Sequence, residues 1–197
     1  MTRDASAFQQ MTDAGLLEAA AGGSHAAFSE LVSRYFQPVY RLVWRMTGGA
    51  ADAEDIAQEA FVKLWKNPAQ VREAGALKGW LMRVASNGVI DRSRKPRSGT
   101  LEDAPEIADP QARPDAPLDR AQAASLVDRR IAGLPERQRQ ALSLVYFEGL
   151  TNIEAAAAME VSVDALESLL SRARRSLKES LSTAWRELLG GLAETGR

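Results

Sequence analysis

Residues 151–177 read TNIEAAAAMEVSVDALESLLSRARRSL and hold two helix starts with a short turn between them. Thr151 with Glu154 three residues on is the pattern of a capping box, in which hydroxyl and carboxylate each take up an orphan amide of the first turn. The helix this predicts, Asn152 to Met159, is about two turns long, and its small residues Ala155 to Ala158 let a neighbour pack close. Ser162 is placed to cap a second helix with Asp164 in its first turn, and Val163, Leu166, Leu170, Ala173 and Leu177 form its apolar stripe. A short helix, a tight turn and a longer helix with arginines on its outer side is the layout of a helix-turn-helix. Taken alone, the pattern fits a helix laid in a DNA groove and a purely structural helix pair equally well, because basic residues near a helix C-terminus also suit the dipole.

The segments before it are helical too. A helix from about Leu118 to Ala132 stops at Gly133-Leu134-Pro135, and another from Glu136 to Phe147 is broken by Gly149. Further upstream, a short helix spans Thr12 to Ala21. Phe28, Leu31, Val32, Tyr35, Phe36, Val39, Tyr40 and Val43 recur at helical spacing until Gly48-Gly49. In DAEDIAQEAFVKLW, 52–65, acids occupy the first turn and Ile56, Ala60, Phe61 and Leu64 form the buried stripe; Asn67-Pro68 ends the helix. In GWLMRVASNGVIDRSRK, 79–95, Leu81, Val84 and Ala85 point inward, Trp80 reads as core, and the basic residues gather at the C-terminal end. No segment has the alternation of a strand.

Between these two blocks lies SGTLEDAPEIADPQARPDAPLDR, 98–120, with six acids and prolines at 105, 110, 114 and 117. Proline at this density excludes a regular helix, and the segment has too few large apolar residues for a core. It is a linker.

Composition narrows the function classes. The 197 residues are 45% apolar and 26% charged, the balance of a globular protein. The chain has no cysteine and one histidine, His25, so no disulfide framework, cysteine-ligated metal or histidine-based triad is available. No apolar run has the length of a membrane span, and the N-terminus lacks the apolar segment of a signal peptide. The net charge of −1 hides an uneven distribution: Lys78, Arg83, Arg92, Arg94, Lys95 and Arg97 face only Asp91 within their own segment, and the linker then reverses the sign. There is no glycine-rich phosphate loop and no nucleophile beside a base, so enzymatic chemistry is not indicated.

Three motifs, DAEDIAQEAFVKLW, GWLMRVASNGVIDRSRK and LPERQRQALSLVYFEGLTNIEAAAAMEVSVDALESLLSRARRSL, occur in this order with the linker between the second and third. Together they resemble the bacterial sigma factors of the sigma-70 class, in the small extracytoplasmic function (ECF) group that keeps only regions 2 and 4. The resemblance covers nearly the whole chain. It implies an all-α protein of two small helical domains, region 2 over 1–95 and region 4 over 120–197, joined by the Pro/acid-rich linker 96–119. It implies a transcription initiation factor in the cytoplasm, without catalytic residues, cofactor or metal. Its partners would be the β′ and β subunits of RNA polymerase core, promoter DNA and an anti-sigma factor.

The resemblance also distributes roles. Glu54, Asp55, Gln58 and Glu59, on the outer face of the 52–65 helix, would dock on core polymerase, although an acidic helix face is ordinarily just solvated. Asn87 and the loop 67–76 would contact an extruded base of the −10 element, and Lys78, Arg83, Arg92, Arg94 and Lys95 its phosphates. Ser162, Asp164, Glu167, Ser168, Ser171, Arg172, Arg174 and Arg175 would face the −35 element. This chain departs from the common pattern at Glu160, where a glycine is frequent in the turn, and at Glu167, where basic residues are frequent. Glu167 either accepts from a cytosine amino group or avoids DNA. The linker acids either mimic RNA in the exit path of polymerase or serve as a solubilising tether. Two other classes share some of these features. One is an ordinary helix-turn-helix regulator, which would need a dimer interface or ligand pocket; the other is a helical protein-interaction module, which leaves the arginine clusters without a purpose.

Overall fold

The computed structural model describes residues 7–49, 52–71, 74–94 and 126–194, and no strand occurs among them. Helix α1 (Asp13–Ala21) starts where the Thr12 hydroxyl accepts from the Gly15 amide at 3.3 Å, and α2 (His25–Thr47) where Ser24 does the same for Ala27. Gly48 ends α2 in the left-handed region, φ 70°, a conformation that costs little only without a Cβ. Helix α3 (Ala53–Lys66) runs back along α2 and is followed by two short 3-10 turns, Pro68–Gln70 and Ala74–Ala76. Helix α4 (Leu77–Arg94) then packs on both α2 and α3. It begins two residues before the expected Gly79, because Leu77 is fully buried and anchors the first turn. Gly88 permits the close α3–α4 approach: a Cβ there would lie 3.0 Å from Ile56 Cγ2.

Beyond the linker, residues 126–132 form α5, and α6 spans Glu136–Leu142. The expected single helix to Phe147 instead widens into a π-helical turn over Ser143–Phe147, closed by the Glu148 amide donating to Ser143 O at 3.0 Å. Helices α7 (Asn152–Met159) and α8 (Val163–Glu194) follow. The linker 96–119 and the start of the expected 118–132 helix lie outside the described residues.

Of the apolar positions chosen from periodicity, Leu31, Leu64, Leu81 and Leu166 have no exposed surface, Ile56 has 2%, and Trp80 is buried, whereas Phe28, Val32, Tyr35, Phe36, Tyr40 and Leu177 are half-buried at the edge of the core; Leu42 and Leu77, outside the chosen stripes, are fully buried. Each such side chain contributes on the order of 1.5–3 kcal/mol relative to exposure. Val84 is only half-buried, and Val163 is a correction: at the first position of α8 its side chain leans past the packed edge and is 36% exposed. One apolar cluster runs without interruption from α1–α4 into Leu144, Leu150, Ala155, Ala156, Ala158, Met159, Leu166 and Leu170. A smaller one joins Ile131, Leu134, Leu142 and Ala173 beneath Leu177. The two helical units α1–α4 and α5–α8 are therefore packed on each other, chiefly through α4 against α7 and the end of α2 against α6 and the π turn.

Candidate nucleic-acid and polymerase interfaces

The helix-turn-helix is built as the capping pattern requires. Thr151 Oγ1 accepts from the Glu154 amide at 3.2 Å, and Glu154 Oε2 accepts from the Thr151 amide and hydroxyl, both at 2.8 Å. The Thr151 backbone bond, then its hydroxyl, holds the Glu154 carboxyl below the usual carboxylate range. Helix α7 ends at Glu160 in the left-handed conformation, φ 54° and ψ 46°. There the Val161 amide donates to Ala156 O at 3.0 Å and the Glu160 amide to Ala157 O at 3.2 Å, a Schellman closure. A side chain in this backbone region costs roughly 1–2 kcal/mol. Ser162 Oγ then accepts from the Ala165 amide at 3.2 Å and starts α8.

With Leu166, Leu170 and Ala173 turned inward, α8 leaves Ser162, Asp164, Glu167, Ser168, Ser171, Arg172, Arg174 and Arg175 exposed. The face is acidic at its N-terminal end and basic at its C-terminal end. Glu167 is held from behind, accepting from Asn152 Nδ2 at 3.3 Å, and Arg174 folds back to donate to Leu170 O at 3.3 Å.

On α4, Arg83, Asn87 and Arg94 follow one face at spacings of four and seven residues. Asn87 opens into a cleft of about 390 Å³ that Lys63, Lys66, Gln70, Trp80, Val84 and Asp91 also line. Lys63 and Lys66 were not among the expected site residues. The signal was present in FVKLWKNP, where two lysines three apart flank the aromatic stripe, but only the packing of α3 on α4 turns them toward Asn87. The other expected phosphate contacts are distributed differently. Arg83 pairs with Glu160 at 3.4 Å, and the Lys78 ammonium donates to the Glu148 carbonyl. Arg92 pairs with Glu59 at 2.8 Å and Asp52 at 3.7 Å, so Asp91 is not the only acid beside this cluster. Arg94 is exposed, and Lys95 lies outside the described residues.

Glu54, Asp55, Gln58 and Glu59 are all exposed on α3, with Gln58 Nε2 donating to Glu54 Oε1 at 3.0 Å. Gln58 also borders an open apolar groove of about 410 Å³, lined by His25, Phe28, Val32, Phe36, Phe61, Val62 and Trp65. His25 forms part of its wall, stacked on Trp65 with centroids 4.7 Å apart, and Val62 is 49% exposed there.

Glu148 was not anticipated at all. Its side chain is 1% exposed between Arg45 at 3.1 Å and Arg41 at 3.7 Å, and Arg45 also lies over the Phe147 ring at 4.1 Å. Burial pushes its carboxyl above the ordinary range, against the pull of Arg41, Arg45 and Lys78. No helix among the described residues is long and apolar enough to cross a membrane.

Known proteins share this arrangement. The family model for sigma-70 region 2 matches residues 31–98, and that for sigma-70 region 4 matches residues 124–177. The chain is 32% identical to the RNA polymerase sigma-H factor of Pseudomonas aeruginosa, over 90% of this chain and 98% of that protein. It is 29% identical to the ECF RNA polymerase sigma factor SigW of Bacillus subtilis, over 81% and 91%. Two solved structures have the same fold: CnrH in complex with the cytosolic domain of CnrY, with a TM-score of 0.66 and 23% identity over 87% of this chain and 97% of that one. The other is RpoE in complex with the anti-sigma factor NepR from Bartonella quintana, with a TM-score of 0.66 and 22% identity over 79% and 96%. With both family regions in order and relatives aligned nearly end to end, the chain belongs to the sigma-70 family of RNA polymerase sigma factors, in its ECF group.

Proposed function

We propose that this sigma factor divides its work as follows. The exposed side of α3, with Glu54, Asp55, Gln58 and Glu59, docks on RNA polymerase core. The cleft around Asn87 receives a base of the −10 element, with Lys63, Lys66 and Arg94 on the flanking phosphates. The outer face of α8 reads the −35 element from Ser162 to Arg175. The single observation that carries the −10 assignment is the cleft itself. An amide able to donate and accept shares with a buried aromatic and two lysines of α3 a cavity of about 390 Å³ open to solvent. Unstacking a base costs a few kcal/mol, and such a pocket offsets that cost.

The domain limits that go with this reading are region 2 over 1–95, linker 96–119 and region 4 over 120–197, in the cytoplasm where polymerase works. The RpoE structure was solved with an anti-sigma factor bound. A protein partner of that kind suits this chain too, and the apolar groove between α2 and α3 offers it an anchoring surface.

The test is run-off transcription with purified core polymerase, this protein and a library of random promoter DNA, with sequencing of the transcript starts. Specific initiation that depends on the added chain yields both promoter elements at once. Failure with a folded, partner-free sample would leave an ordinary helix-turn-helix regulator as the better reading and would remove polymerase docking from α3. Specific initiation that persists when Asn87 is replaced by Ala, with an unchanged −10 preference, would remove the cleft from the readout.

A further inference from the structure

Two of the cations expected to hold −10 phosphates are occupied by residues of the other helical unit. Lys78 donates to the Glu148 carbonyl, and Arg83 pairs with Glu160 at 3.4 Å. Both acids belong to segments that flank α7, and α7 lies directly against α4. Between them, Glu154, Ala157 and Ala158 of α7 form one wall of a space of about 720 Å³ whose other wall includes Asn67, Gln70, Val71, Ala76, Gly79 and Arg83. The contact is sealed by apolar side chains, since Leu144, Leu150 and Ala155 share one core with α2 and α4. At its centre Glu148, reached by both Arg41 and Arg45 of α2, is almost completely buried. By contrast, the outer face of α8 is open along its length from Ser162 to Arg175.

We propose that this chain is closed by its own region 4: Glu148, clasped by Arg41 and Arg45, and Glu160, paired with Arg83, hold α7 over Lys78 and Arg83, which would add phosphate contacts beside the Asn87 cleft, while leaving that cleft and the −35 face free. The inference rests on the −10 assignment of α4 made above, extended to Lys78 and Arg83. The left-handed Glu160 has a purpose in this arrangement. Glycine would relieve the backbone there but would leave Arg83 without its partner. Arg45 and Glu148 lie 103 residues apart in sequence, so the clasp is a contact between the two units. Opening would expose Lys78 and Arg83 together with Asn67, Gln70, Val71 and Ala76, which couples release of region 4 to competence for the −10 strand.

The absence of cysteine makes the test direct. Donor and acceptor dyes are attached to the full-length double variant Glu18→Cys, Arg129→Cys, whose labelled positions are exposed and lie outside all three proposed faces. Energy transfer is then followed in this background and with Glu148→Arg added, which places a third arginine against Arg41 and Arg45. Binding is measured to two probes: a single-stranded oligonucleotide carrying the −10 sequence recovered by run-off transcription, and a duplex carrying the −35 sequence. The expected result is a fall in transfer with Glu148→Arg and a gain of about fivefold or more in binding of the −10 strand, with the −35 duplex bound as before. Glu160→Gly, which suits its backbone and so guards against misfolding, should shift both readouts the same way by a smaller amount. Unchanged transfer in both variants, each melting cooperatively, would overturn the clasp. Lowered transfer with unchanged −10 binding would overturn the masking. In that case Asn87→Ala in the polymerase-bound form separates the two readings: an altered −10 preference retains the site assignment, and an unaltered one removes it as well.

Discussion

Asn152, the first residue of α7, donates to Glu167 on the outer face of α8 at 3.3 Å, across the turn of the helix-turn-helix. The carboxylate is thereby aimed rather than left to rotate, and its second oxygen remains able to accept from a base. Glu167→Lys is expected to change the preferred base at one −35 position, since a well-made side chain to base contact discriminates by about 1–3 kcal/mol. Promoter selection by sequencing measures this. An unaltered −35 consensus would take Glu167 out of the readout set.

Arg172 and Arg175 lie further along the same face, where the charge turns positive. In the proposed reading they contact phosphates, which carry no sequence information, so Arg175→Ala should weaken all −35 duplexes alike and lower the slope of log K against log salt by about 0.9. A loss confined to one promoter sequence would make Arg175 a base contact instead.

Thr151→Ala removes the hydroxyl that accepts from the Glu154 amide and donates to its carboxyl, while the amide of residue 151 can still donate to Glu154. The expected cost is about 1 kcal/mol, read as a lower melting temperature, because an N-cap oxygen serves an amide that has no partner within the helix. The Glu154 carboxyl is held below its ordinary range, so its contribution is present above the unfolded value and is lost as pH falls through the folded one. The melting difference between Thr151→Ala and the parent should therefore narrow on acidification.

In the N-terminal unit the Tyr35 hydroxyl donates to Asp13, whose other oxygen accepts from Arg34 at 2.9 Å. Burial first, and the Asp13 bond second, raise this phenol to about 12 from 10. A raised group of this kind gives stability that is complete below about pH 10 and is lost as pH rises toward 12. Absorbance titration should show one tyrosine ionising late, and Tyr35→Phe should remove that late step while costing on the order of 1 kcal/mol at neutral pH.

How much of this was legible in the sequence depends on range. Capping boxes, glycine stops and apolar stripes act within one or two turns, so α2, α3, α7 and the start of α8 could be placed from spacing alone. The left-handed Glu160 was anticipated as a departure from glycine, and the backbone adopts that conformation, φ 54°. The π turn at Ser143–Phe147 was not, because its residues keep an ordinary helical pattern and only the packing of Leu144 and the exit toward Glu148 widen it. Lys63, Lys66 and the partners of Arg83 and Arg92 depend on which helix faces meet. Periodicity shows that a face is apolar but not what it is apposed to. Glu148 is the extreme case: in sequence it is one acid beside Phe147 and a glycine, and its arginines belong to a helix of the other unit.

Glu148 also gives the clasp a predictable response to acid. Arg41 and Arg45 from α2 and Lys78 from α4 face it, and Glu154 of α7 acts on the same lysine. Their attraction would lower the carboxyl, yet burial outweighs it and the group stands above its ordinary value. Once the clasp opens, water restores that ordinary value, so closing takes up a proton over the interval between the two. The closed form should therefore gain on the open one as pH falls from neutrality through the raised value, with no further gain below about 4.5, where both forms are protonated. Energy transfer in the dye-labelled chain should rise on mild acidification, and Glu148→Gln, which keeps the shape without the charge, should hold transfer high and flat across the titration. A Glu148→Gln chain that still closes on acidification with the parent's midpoint would assign the proton to another group.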